Sequence, residues 1–252
     1  MDNNEIDVVI SWSSTDAQFV VPCALQSRYF SDKIIAARCT HRYNGESEED
    51  QAAILAEKEA ILSSEGIQLE TFDFDAEKPA HYHHNLARWA GFQQTSAPWV
   101  LFLDADEIPD GKRFAKSAPF FAGLPIYNSL WFACYWYFRT PKNRATTKEC
   151  CGLLVRREAV SKEVIFNPRE RIAFSGVPGF THNVHDIKGA PLFHHYSWVR
   201  SKEEMLNKVR SWGHKGDKPW KALVEQEFSR PQGESDFVHG YQYEQVKPFV
   251  EV

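Results

Sequence analysis

The chain predicts an α/β fold, a mostly parallel sheet flanked by helices, with a helical extension toward the C-terminus. Two observations carry this. Through the first hundred residues, apolar runs of strand length alternate with longer helical patterns, at the spacing of β-α-β units. One run, Trp99 to Leu103, is apolar at every position, as a strand buried on both faces requires. A chain of 252 residues can bury roughly 70% or more of its unfolded surface, and no repeat or low-complexity linker divides it. It reads as one domain over 1–252.

Taken in order, Ile6 to Trp12 is a β-rich run and Lys33 to Cys39 a second. Asp16 to Phe30 between them suits a helix weakened by Pro22. Ser47 with Asp50 has the form of a capping box, opening a helix to about Ser64 with Ile54, Leu55, Ile61 and Leu62 on one face and Gly66 ending it. Ile67 to Phe74 alternates like a strand, His84 to Thr95 reads as a helix, and Trp99 to Leu103 follows. Asn128 to Arg139 is long, aromatic and strand-like, and Gly152 to Arg156 is another apolar run. Ser201 and Glu204 cap a helix toward Lys215 with Met205, Leu206, Val209 and Trp212 as its apolar stripe. The polar tail after Lys218 reads as loop and short helix.

Composition narrows the function. The net charge is −5 and no basic tract runs long, which argues against nucleic acid as a partner. The N-terminal apolar run is too short for a signal peptide, and nothing approaches the roughly 18 apolar residues of a membrane span. A cytoplasmic protein with at most peripheral membrane contact is expected. The five cysteines have no metal or redox spacing, so reduced thiols are expected, with Cys150 and Cys151 as small buried residues. Aromatic residues crowd the chain after residue 89, fit either for a thick core or for stacking on sugar rings.

In parallel sheets ligands bind beyond the carboxyl ends of the strands. The residues there are Ser11 to Ser14, Thr40 to Arg42, Asp73 to Asp75 and Asp104 to Glu107. The last group is the strongest signal, because a fully apolar strand runs directly into three acids. Strand alternation puts Asp104 and Asp106 on one side, where one could reach a ligand and the other a hard cation, Mg²⁺ or Mn²⁺. Crowded acids repel, so removing Asp106 is expected to relieve the metal-free protein. A solvated acidic turn is the plain alternative. A second cluster, Thr181 to Arg200, holds four histidines and an aspartate without a zinc spacing.

The segment His83 to Glu107, HHNLARWAGFQQTSAPWVLFLDADE, resembles family 2 glycosyltransferases and their GT-A-fold relatives, which read roughly A-R-N-x-G, a short helix, then an apolar strand ending D-x-D. Ala87, Arg88 and Gly91 match; Trp89 replaces the usual Asn. The resemblance implies a GT-A-like, Rossmann-type fold with a nucleotide-sugar half over about 1–111 and an acceptor half over about 112–252. It implies that Arg88 holds a nucleotide diphosphate, that Asp104 faces the ribose and that Asp106 binds the metal, so the metal is expected at the carboxylates Asp104 and Asp106. Ser11, Trp12 and Asp73, at the carboxyl ends of their strands, join the donor site.

HHYSW followed by a basic helix resembles the C-terminal part of bacterial family 2 sugar transferases that build lipopolysaccharide cores. It implies His195 as a further metal ligand, with His194, His185 and His214 as alternatives. Lys202, Lys208, Arg210, His214 and Lys215 make the last helix basic on its polar side, a solvated face by default and, as the alternative, a helix that closes over the diphosphate with Lys208 at the donor. FSGVPGFTHNVHD resembles the family's aromatic-x-Gly and His-acid element, which makes Asp186 the base of an inverting transfer and Glu170 its rival. The expected partners are a UDP-, GDP- or dTDP-linked sugar donor and a glycan or glycolipid acceptor. A haloacid-dehalogenase-type phosphohydrolase also places D-x-D after an apolar strand, but wants it after the first strand. A non-catalytic sugar-nucleotide-binding relic is the other alternative.

Overall fold

The computed structural model describes residues 5–122, 127–166, 177, 180–184, 188–211, 216–229 and 235–251. The first half is built from β1 (Ile6–Trp12), α1 (Ala17–Ser27), β2 (Ile34–Cys39), α2 (Ala52–Ser64), β3 (Gln68–Phe72), α3 (Ala80–Gln93) and β4 (Trp99–Asp104). Then come β5 (Glu107–Pro109), α4 (Gly111–Ala122), β6 (Tyr127–Phe138), β7 (Thr140–Arg156), α5 (Lys162–Ile165), β8 (Phe180–Val184), β9 (Phe193–Trp198), α6 (Lys202–Ser211), α7 (Trp220–Phe228) and β10 (Tyr243–Gln245).

One sheet runs through both halves in the order β3-β2-β1-β4-β7-β6-β9-β5, with β10 paired to β7 and β8 to β6. The strands β3, β2, β1 and β4 are parallel to their neighbours; β7 then enters antiparallel to β4. Parallel strands covered on both faces must be apolar throughout, and β1 and the first five residues of β4 are buried at every position. Alternation divides that core. Val8, Ile10, Leu101 and Leu103 face Phe19, Val20 and Cys23 of α1, whereas Val9, Val100 and Phe102 pack with Phe92 of α3. The aromatic strand β6 carries the sheet into the second half, where Trp136, Phe138 and Trp198 pack against Met205, Val209, Trp220 and Val224 of α6 and α7.

Two details fix the geometry of the sheet, one at the amino edge of the parallel strands and one farther along. Buried Asp7, early in β1, accepts the backbone N–H of Ala97 at 2.9 Å and so sets the entry of β4. In the β6–β7 pair, Trp131 faces Leu153 and Phe132 faces Cys151, so Gly152 is an extra residue on β7. It has φ +64°, and a Cβ there would lie 3.1 Å from the Phe193 ring. Only glycine suits both conditions.

Several expectations change. Helix α2 begins at Ala52, after a short 3₁₀ turn, and the Ser47 hydroxyl accepts from the Glu49 N–H instead of capping the helix. That helix lies at the margin of the sheet and buries Leu55 and Leu62, leaving Ile54 43% exposed. Helix α3 begins at Ala80, four residues early, because Pro79 in extended backbone initiates it. Cys150 is exposed, since it alternates with buried Cys151 along β7; all five thiols are unbridged. The tail supplies α7 and the strand β10. No helix among the described residues is long and apolar enough to cross a membrane.

Gly91 sits where α3 crosses β1, and a Cβ there would come within 2.5 Å of Val9 Cγ1. Val9 is fully buried and cannot yield. Gly91→Ala is therefore expected to destabilise the protein by about 1–3 kcal/mol through overpacking, read from urea unfolding. A variant as stable as wild type would mean that helix and strand can separate without cost.

Candidate active site

Helix α3 packs on β1, β2 and β3, and its N-terminal turns bring polar residues to the sheet's carboxyl edge. Arg88 is buried, and its guanidinium donates to Asp104 Oδ1 at 3.1 Å and to Asn85 Oδ1 at 2.9 Å. His84, one turn earlier, brings Nε2 to 2.9 Å from Asp104 Oδ1 and 3.2 Å from the Arg88 guanidinium. The i, i+4 spacing of His84 and Arg88 could have revealed this pair in the sequence. Tyr43 stacks on His84 with ring centroids 5.5 Å apart. Burial, with Asp16 and Asp104 nearby, holds the Tyr43 phenol well above its ordinary pKa, so it stays neutral.

Asp106 turns toward the other half. Strand β4 ends at Asp104, and Asp106 lies in the turn that follows. Lys208 of α6 donates to Asp106 Oδ2 at 3.1 Å and to the Ser197 hydroxyl at 2.9 Å. Arg200 lies 3.5 Å from the same Oδ2 and pairs with Asp16 at 2.6 Å. His195 of β9 brings Nε2 to 3.6 Å from Asp106 Oδ1. Asp106, Arg200 and Lys208 are all buried.

Burial alone would raise the Asp106 carboxyl, but Lys208, His195 and Arg200 outweigh it and hold it far below the carboxylate range. His195 moves the opposite way. Burial disfavours its charge, yet Asp106, Cys134 and Glu107 hold it protonated well above the usual imidazole pKa. The expected repulsion among crowded acids is thus absent at Asp106, because cations surround it. Glu107 has its own role: its carboxylate accepts the backbone N–H of Asp104 at 3.0 Å.

The remaining predicted residues divide. Ser11 is buried and pairs in register with Asp104. Trp12 lies in the core, with the Arg38 guanidinium 5.5 Å over its ring, and Asp73 is exposed just past β3. His194 is turned away from Asp106. Its Nδ1 lies 2.7 Å from the Tyr137 hydroxyl, its ring stacks on Phe249 at 4.0 Å, and burial pushes its pKa down to about 3. That removes it as a metal ligand beside Asp106. Asp186, Glu170, His185 and His214 lie outside the described residues. Sequence reasoning missed Arg200 and Ser197; Arg200 ends the HHYSWVR segment, and only the fold brings it to Asp106.

Among the described residues no group of three or more His, Cys, Asp or Glu side chains could by itself hold a metal. That does not conflict with a hard ion. Mg²⁺-type ions are commonly held through one or two carboxylates, with substrate phosphates and water completing the shell. A buried carboxylate facing an imidazole nitrogen is a donor set of that kind, on condition that Lys208 and the His195 proton give way.

No protein-family model matches the chain, and no curated protein matches it by sequence. Solved structures do. The mannosyltransferase PcManGT from Pyrobaculum calidifontis, in complex with GDP-Man and Mn²⁺, superposes with a TM-score of 0.50 at 9% identity, over 88% of this chain and 68% of that one. The fold is GT-A-like. TarS residues 1–349 from S. aureus in complex with UDP match at 0.43 and 11% identity, over 90% and 72%. A 4-diphosphocytidyl-2C-methyl-D-erythritol synthase from Anaerococcus prevotii matches at 0.41 and 10%, over 81% and 97%. At these identities the likeness speaks to the fold alone.

Removing Asp106 would leave Lys208, Arg200 and His195 crowded in a buried place. Asp106→Ala is expected to cost the metal-free protein about 3–5 kcal/mol, the usual penalty for breaking a buried ion pair, in urea denaturation. A midpoint at or above wild type would restore the picture of relieved repulsion.

Proposed function

We propose that the protein is a glycosyltransferase that moves a sugar from a nucleotide-diphospho-sugar to an acceptor hydroxyl with inversion, in glycan or lipopolysaccharide-type synthesis. The observation that carries this reading is the pair of carboxylates at the end of β4, each held by its own buried cation: Asp104 by Arg88 and Asp106 by Lys208 with Arg200. A nucleoside diphosphate leaves only when its developing charge is met, and preorganised, buried cations meet it without reorganisation.

In this reading Ser11, Trp12, Asp73 and Asp104 belong to the nucleotide side, and Arg88 exchanges part of its bonding from Asp104 to a phosphate oxygen. Lys208 makes the corresponding exchange from Asp106. A divalent ion, Mn²⁺ or Mg²⁺, would be held by Asp106 with His195, near Asp104, and would supply Lewis-acid stabilisation of the leaving diphosphate. His195 must lose its proton to serve, so binding of the ion releases a proton. The acceptor hydroxyl passes its proton to a carboxylate, for which Asp186 is the first candidate and Glu170 the second.

Two sets of outcomes test this. Arg88→Ala should lose about 1.5–3 kcal/mol of UDP or GDP affinity by calorimetry, the worth of a hydrogen bond to a charged group. Lys208→Met should weaken the nucleotide similarly while strengthening Mn²⁺ binding without nucleotide, because its amine no longer occupies Asp106. Unchanged nucleotide affinity in both variants would remove the diphosphate assignment. In turnover, NMR of the product should show an inverted anomeric centre, and Asp186→Asn should fall by roughly 10²–10⁴-fold with donor binding intact. If Asp186→Asn turns over normally and Glu170→Gln does not, the base is Glu170.

A further inference from the structure

Beside the Asp106 centre, on the same face of the sheet, lies a group of side chains that the reaction described so far does not use. In the β6–β9 pairing Trp136 is opposite His195, and the two rings meet edge to face at 4.8 Å. On its other side Trp136 meets His239 in the same manner at 4.9 Å. Glu149 of β7 pairs with Cys134, two residues from Trp136, so it shares that face. Its Oε1 accepts from the Tyr241 hydroxyl at 2.8 Å and lies 3.6 Å from His239 Nε2. The rings of His239 and Tyr241 are stacked, 5.0 Å apart and 19° from parallel.

These groups are reachable and rigidly held. The His239 side chain is 37% exposed and that of Glu149 21%. Asp236, itself buried, organises the turn that presents them. Its carboxylate accepts the backbone N–H groups of Val238, His239 and Tyr241 and the hydroxyl of Tyr243. Phe237 anchors the turn against Trp198 and Phe138, and β10 fastens it to β7. So much buried structure serves to hold two polar rings and one carboxylate at the surface, next to the reacting centre.

Resting on the glycosyl-transfer reading, we infer that Glu149, His239 and Tyr241 form the acceptor subsite and bind a neutral pyranose. The chemistry selects that class. Stacked rings offer a flat apolar face for the C–H side of a sugar. The partly exposed Glu149 carboxylate takes hydroxyl hydrogens, and the imidazole and phenol supply donors and acceptors around it. The charge of Glu149 works against a phosphorylated or carboxylated sugar at this position, because like charges repel at short range. Trp136 is the shared wall that sets the subsite against His195 and the diphosphate side.

The test uses saturation-transfer NMR on the full chain with UDP and Mn²⁺ present. The probes are neutral methyl pyranosides (glucoside, galactoside, mannoside and N-acetylglucosaminide), with glucuronate and glucose 6-phosphate as charged counterparts. At least one neutral glycoside should bind, with saturation concentrated on one face of its ring. Glu149→Gln should weaken it about ten- to a hundred-fold, as loss of a charge-assisted hydrogen bond does. His239→Ala, at an exposed position, should weaken it too. UDP affinity should stay within about two-fold of wild type in both variants. The subsite is overturned if no neutral glycoside binds, if both variants bind it as wild type does, or if the charged sugars bind as well. In those cases wild-type UDP binding would persist, and its loss in the wild type would instead count against the glycosyl-transfer reading.

Discussion

Everything at this edge of the sheet depends on one electrostatic condition: a buried charge must be matched where it lies. Arg200 has a fully buried side chain and can stay there only because Asp16 and Asp106 both face it. Meeting that condition joins four parts of the chain. Asp16 precedes α1, Asp106 occupies the turn after β4, Arg200 follows β9, and Lys208 on α6 completes the set. The parallel half and the antiparallel half are thereby fixed to one another at the point where the chemistry is proposed.

The second tie is a matter of contact distance. Helix α3 can bring Arg88 and His84 to Asp104 because Gly91 lets the helix lie directly on Val9 of β1. With α3 on one side and α6 on the other, the two carboxylates acquire different neighbours although one residue separates them in sequence. Asp104 belongs to the first half electrostatically, and Asp106 to the second.

The sequence revealed those features that local chemistry writes. Buried parallel strands leave continuous apolar runs, so β1 appeared with its observed bounds, Ile6 to Trp12, and β4 within one residue. The Ser201–Glu204 capping box was legible because both of its bonds are local, and both form. What was hidden is long-range. The partners of Asp106 lie about ninety to a hundred residues further along, and no periodicity records that Lys208 and Arg200 return to it. The short strand β10 was hidden because three residues carry no pattern. The helical face assigned to α2 was too wide, because a helix at the margin of the sheet covers little core.

The neutralised state of the edge also bears on discrimination. A cleft lined with unmatched Arg and Lys would hold sulfate, free phosphate or nucleic acid with little preference. Here each of these cations already faces a carboxylate, Asp106 being shared by Lys208 and Arg200, so a simple anion gains little by entering and must displace a resident partner. An incoming group does better if it brings compensating positive charge for the carboxylate it dislodges. Electroneutral exchange of this kind works as a filter, and it acts before any recognition of base or sugar begins.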